Sequence, residues 1–209
     1  MTMPPFVTGF ALGFSLILAI GAQNAFVFRQ GLLRRHVLAV VLFCALADML
    51  LIVVGVAGLS FLVADFAERH APILFGLAAI WLFAYGALRL RSAARAGDGL
   101  EGDGESGGGF AATLATAAVL TFGNPHVYLD TVMLIGTVSL QFDGADRFAY
   151  GAGAALASLV FFFSLGYGAG LLAPQMKRPN AWRVLDGVIA IIMFALAIGM
   201  ARAGGWLGG

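Results

Sequence analysis

The chain has one cysteine in 209 residues, Cys44, so it holds neither a disulfide framework nor a thiolate metal site. Its three histidines, His36, His70 and His126, are scattered and make no metal-ligand spacing. There is no P-loop, no Gly-x-Ser-x-Gly elbow and no nucleotide fingerprint, and no cofactor is expected. Charge is scarce too. Asp, Glu, Lys and Arg make up 11% of the residues, against about 25% in a soluble domain. A net charge of +1 and the lack of a basic patch interleaved with aromatics give no sign of a nucleic-acid partner. What remains is apolar: 61% of the chain is hydrophobic and its mean hydropathy is strongly positive. The surroundings this composition calls for are a lipid bilayer. Glycine is abundant, and in apolar segments small residues let helices approach closely. Gly9 with Gly13, and Gly151 with Ala155, read as such packing seams.

Six apolar segments follow one another, at about 6–28, 37–64, 72–90, 110–140, 148–173 and 184–202. The polar turn Asp65 to His70 separates the second from the third, and the Gly-, Ser- and acid-rich stretch 91–109 reads as a flexible loop. The first segment is not expected to be a signal peptide, because Met1 to Pro5 carries no positive charge and the segment is too long; the charges follow it. Positive residues set orientation. Arg29, Arg34, Arg35, Arg89, Arg91, Arg95, Lys177, Arg178 and Arg183 adjoin loops one, three and five, nine in all; only Arg69, Arg147 and Arg202 lie on the other side. Those three loops are thus expected in the cytoplasm, with both termini outside.

The most informative stretch is Thr121-Phe122-Gly123-Asn124-Pro125-His126-Val127-Tyr128-Leu129-Asp130. Pro125 has no N–H and disfavours helix at Asn124, so the fourth segment should break there. Asn124 suits the N-cap of a restarted helix and Pro125 its first position. The fourth segment has about 30 residues, roughly 45 Å of helix against a hydrocarbon core of about 30 Å, and a break accommodates the excess. Gly21-Ala22-Gln23-Asn24-Ala25-Phe26 occupies the matching place in the first segment, and Ala47-Asp48 matches Ala157-Ser158. These echoes predict an all-α integral membrane protein of six transmembrane helices, built as two inverted three-helix repeats with helices 1 and 4 interrupted. The repeats would be 1–90 and 110–209, joined by the loop 91–109. Paired interruptions of this kind point to a binding site near the midplane of the bilayer.

Asp48 and Asp130 lie well inside apolar segments, where an Asp costs about 2.5–3.5 kcal/mol to insert. All twelve Lys and Arg fall near segment ends, so the two acids look towards a cationic ligand or a proton for balance. The plainer reading is a structural acid bonded to Ser, Asn or backbone of a neighbouring helix. Gln23 and Asn24 can present amides to a ligand or bond across helices. His126 can relay protons or simply pack. Asp186, close to Arg183, reads as an interfacial salt-bridge partner. An intramembrane enzyme using Asp48 and His126 would lack a nucleophile or metal cluster.

Over nearly its whole length the chain resembles the lysine/arginine exporter (LysE-type) family of bacterial transporters. The resemblance rests on Gly21-Ala22-Gln23-Asn24-Ala25-Phe26, Gln30-Gly31, Asp48 and Asn124-Pro125-His126-Val127-Tyr128-Leu129-Asp130. The terminal Asp of the last motif is closer to the basic-amino-acid branch than to the homoserine/threonine exporters, which tend to lack it. Where the family usually has proline this chain has Ala22, leaving the first break to Gly21 and the polar Gln23-Asn24. The resemblance implies a multi-pass protein of the bacterial inner membrane that exports basic L-amino acids by alternating access, driven by the proton motive force. It is not expected to be an enzyme. The implied substrate-binding set is Gly21, Gln23, Asn24, Asp48, Gly123, Asn124, Pro125, His126 and Asp130, with Asp48 and Asp130 as the proton-coupling candidates. Another amino acid or a small cation carried by the same fold stays open, as does a homo-oligomer.

Overall fold

The structure is a computed structural model that describes residues 3–18, 21–95, 109–124, 127–174 and 179–207. Every regular element among them is helical. The chain runs through α1 (Pro5–Ile17), α2 (Ala22–Leu33), α3 (Val37–Val54), α4 (Ser60–Arg95), α5 (Phe110–Phe122), α6 (128–139), α7 (Gly144–Leu172) and α8 (Pro179–Ala203). Helix α6 opens as a π-helical run, Tyr128–Leu134, and ends as the α-helical Ile135–Ser139.

The helices are amphipathic in reverse. Helix α3 exposes Leu38, Leu42, Leu46, Leu50 and Val53 and buries Cys44, Ala45, Asp48 and Ile52. In water this would waste the apolar face, but in lipid the exposed leucines are solvated by acyl chains and the polar side chain is the one that must turn inward. Among the described residues, four stretches are long and apolar enough to cross a membrane: Val37–Gly58, Arg69–Ala94, Gly144–Leu172 and Asn180–Ala203. Helices α1 and α2 meet that test only together, bent by 82°, and make a fifth if counted as one span. The expected fourth segment is divided between α5 and α6, each too short to cross a membrane by itself.

Two expected boundaries move. The turn placed at Asp65 to His70 is helical and lies within α4. The helical run after α3 is kinked instead at Gly58, whose φ of 86° is open to glycine and strained for other residues. Helix α4 also runs on to Arg95, five residues into the expected loop, whose remaining residues 96–108 fall outside the described ones.

Helix α7 is the hub on which α1, α2 and α3 pack, α5 lies against α3, and α4 and α8 form a closely packed pair. The main core joins these groups through Phe26, Cys44, Leu82, Leu120, Phe162 and Met193. The glycine seam of α1 is found. Gly9 and Gly13 approach Tyr150 and Ala154, and Gly153 approaches Phe6, whereas Gly151 faces Val56.

Candidate functional site

Helix α1 ends at Ile17 and α2 starts afresh at Ala22, with Gly21 extended between them (φ −119°, ψ 173°). No side chain caps the first turn of α2, so its leading N–H groups and positive dipole end are presented to whatever lies beside the break. The break is clamped by Asn24, whose Nδ2 donates to the Ile17 carbonyl at 2.7 Å. The second break has the same device: the Tyr128 hydroxyl donates to the Phe122 carbonyl at 2.9 Å, from the far half back to the near half. Sequence reasoning weighed the Asn24 amide as either ligand or cross-helix bond, and the bond is there. The part played by Tyr128 was missed.

Both breaks open onto one cavity of about 280 Å³. That is close to the lower bound of about 300 Å³ for small-molecule pockets, a size for a metabolite rather than a peptide. Gly21, Gln23 and Asn24 line it from the first break, Asp48 from α3, and Asn124 and Asp130 from the second break. Six of the nine expected site residues are thus gathered on one wall system, although Gly21 and Asp130 are more than a hundred positions apart in sequence. Gly123 is not among the lining residues; it is the exposed cap that ends α5. Pro125 and His126 lie outside the described residues, so the expected cap at Asn124 and the proline start are followed only by the Val127 N–H donating to the Asn124 carbonyl at 3.1 Å.

The carboxyl of Asp48 is buried, and the Ser158 hydroxyl donates to its Oδ2 at 3.4 Å. A hydroxyl bond is usually near 2.8 Å, so this one is long and leaves the carboxylate capacity for another partner. Among the described residues Asp48 pairs with no cation. Beside it stands Gln23, 7% exposed, whose side chain faces the Asp48 carboxyl. Asp130 sits in the π-helical run, whose widened turn also brings Thr131 to the cavity wall. Such π-turns recur at functional sites. Sequence reasoning missed Thr131, and it treated Ser158 only as the repeat partner of Asp48. The available signals were the hydroxyl of Thr131 next to Asp130 in sequence and that of Ser158 in a segment with few polar residues.

The acid expected at the interface behaves differently. Asp186 is 3% exposed, and its Oδ1 lies 3.5 Å from Arg29 Nε and 3.6 Å from Arg89 Nη1. Arg29 is itself buried within α2, which corrects the expectation that every cation stands at a segment end. It pairs with Asp186.

A family model described as LysE type translocator matches residues 14–204. The chain belongs to the LysE-type translocator family. Its relatives are transporters, and it is a multi-pass membrane translocator rather than an enzyme. It is 40% identical over 193 residues to YggA of Aeromonas salmonicida, named in general terms as an amino-acid transporter, with 92% of this chain and 93% of that one covered. It is 36% identical to the arginine exporter protein ArgO of Pectobacterium carotovorum, covering 95% and 97%. It is 33% identical to the lysine exporter LysE of Corynebacterium efficiens, covering 97% and 100%. No solved structure matches this translocator.

Proposed function

We propose that this translocator exports basic L-amino acids, arginine or lysine, across the bacterial inner membrane by alternating access, coupled to the proton motive force. The observation that carries the reading is the cavity itself, which combines two carboxylates with an uncapped helix N-terminus. Arginine and lysine each bring two positive groups and one carboxylate. The N–H groups after Gly21 suit the carboxylate, and Asp48 and Asp130 suit the two cations. Gln23 and Asn124 supply amides at the rim of that arrangement, and Pro125 and His126 belong to the same break by sequence. The names of the arginine- and lysine-exporting relatives support the same substrate class.

A desolvated carboxylate is stable with a proton or with a cation, and costly with neither. Asp48 or Asp130 can therefore take a proton as the substrate leaves and release it as the next one arrives, which couples export to the proton gradient. Two inverted three-helix repeats account for the way the helices pair. Helix α1 lies on α7 as α5 lies on α3, while α3 with α7 and α4 with α8 each pair equivalent helices. The Ser158–Asp48 bond joins two positions that the repeat equates. On this reading α1–α2 and α5–α6 are the interrupted first and fourth spans, and loops one, three and five are cytoplasmic.

The test is export from cells fed with dipeptides, comparing arginine, lysine and threonine in a strain lacking other exporters. Efflux of arginine or lysine, abolished by a protonophore, is the expected result. Threonine efflux without either would remove the basic-amino-acid reading.

A further inference from the structure

We propose that Asp186, Arg29 and Arg89 form a closure of the transport path on the side of loops one, three and five, which must come apart in every cycle to admit substrate. The cluster spans a seam. Helices α4 and α8 pack chiefly on each other, as do α1, α2, α3 and α7, and α8 meets α2 at only a few places. Asp186 of α8 holds Arg89 of α4 and reaches across to Arg29 of α2. The Arg29 guanidinium also stacks over the Trp182 ring at 5.8 Å and that of Arg89 over Tyr85 at 5.4 Å. Arg183 Nε donates to the Ala93 carbonyl at 3.3 Å, so the ends of α8 and α4 are fastened to each other and form one body beside the seam.

The cavity lies wholly to one side of this cluster. Its wall on α8 is Leu196, ten residues or about 15 Å of helix from Asp186. Its nearest wall on α2 is Asn24, five residues or about 7.5 Å of helix from Arg29. Along α2 and α8, Phe26 and Met193 lie between the cavity-lining residues and the cluster, in a core they share with Cys44, Leu82 and Leu120, and Cys44 and Met193 have no exposed surface. Substrate from the side of Arg34 and Arg35 thus meets the ion cluster first and the apolar layer second.

The bonding suits a joint that opens. Both guanidiniums approach the same carboxylate oxygen, each at 3.5 Å or more, where a bidentate pair would sit near 2.8 Å. Removing Asp186 would leave two buried guanidiniums facing each other, and that repulsion should part α8 from α2. An apolar replacement of all three would instead seal the seam, because it satisfies packing without any charge to separate.

Cys44, the sole thiol, reports the state of this layer. In sealed vesicles of each orientation, the rate at which a small charged methanethiosulfonate labels Cys44 should be low from both faces. Asp186→Asn and Arg29→Gln should raise it at least about tenfold from the face bearing Arg34 and Arg35, and leave the other face unchanged, while Asp186→Glu stays near the wild type. The triple variant Arg29→Leu, Arg89→Leu, Asp186→Leu should insert and fold, keep Cys44 shielded and lose export. An unchanged labelling rate in Asp186→Asn, an equal rise from both faces, or normal export by the triple variant would each overturn the closure. Labelling needs no substrate, so it is independent of the basic-amino-acid reading, which fails on wild-type export alone.

Discussion

Asp48 can lose its charge while keeping its shape, and no other change separates the roles at this site so well. Asp48→Asn and Asp130→Asn should reach the membrane normally, since an amide costs less to insert than a carboxylate. Each should reduce arginine and lysine export by about 10- to 100-fold, the worth of one charged hydrogen bond, with Asp146→Asn on the exposed first turn of α7 as the control. If one acid is the proton site, its Asn variant should still exchange labelled for unlabelled substrate while failing at uphill export. Full activity in both variants would leave the cavity without a mechanism. Ser158→Ala removes only a 3.4 Å bond, so an effect of about two- to threefold on KM is expected. A loss as deep as that of Asp48→Asn would mean Ser158 holds the carboxylate in place.

Between elements, the tightest contact near the site joins the turn after α3 to α6. A Cβ on Gly136 would stand 2.8 Å from the Gly55 carbonyl oxygen, with backbone rather than a flexible side chain in its way. Gly136→Ala should therefore cost about 1–3 kcal/mol of overpacking, seen as a lower midpoint of thermal unfolding in detergent. Gly187→Ala on α8 is the matching control: a Cβ there meets nothing within 4 Å, and helix propensity favours alanine by up to about 1 kcal/mol. The clamps at the breaks act on the same scale. Asn24→Ala loses the bond to Ile17, worth about 1 kcal/mol, and frees the angle between α1 and α2. Substrate protection against thermal unfolding should weaken in this variant more than the unfolding midpoint itself. An equal fall in both would make Asn24 a stability device alone.

For the whole molecule the open quantity is orientation. Arg29 and Arg89 are engaged by Asp186, yet removing them still leaves seven positive residues on the side of loops one, three and five against three on the other. In a Cys44→Ser background, Asp143→Cys in the turn before α7 should react with impermeant thiol reagents from outside intact cells. Ser106→Cys, in the loop between α4 and α5, should react only after the membrane is disrupted. The reverse pattern would invert the molecule. Reporters fused to the two termini count the spans: the same side means that α5 and α6 together make a sixth crossing, and opposite sides mean five.

Composition and periodicity were enough to establish a helical membrane protein with two interruptions and two acids inside its apolar segments. Those features are local, set by Pro125, by Gly21, and by the cost of placing Asp48 and Asp130 among apolar neighbours. Packing decided the rest. Hydropathy could not locate the kink at Gly58, because a polar run such as Asp65 to His70 is as content within a helix as in a loop. Nor could spacing tell that both breaks share one cavity, since that depends on α7 drawing α1, α2 and α3 together. The clearest case is Asp186: near a segment end it resembles any surface acid, and only the meeting of α2, α4 and α8 buries it between two arginines.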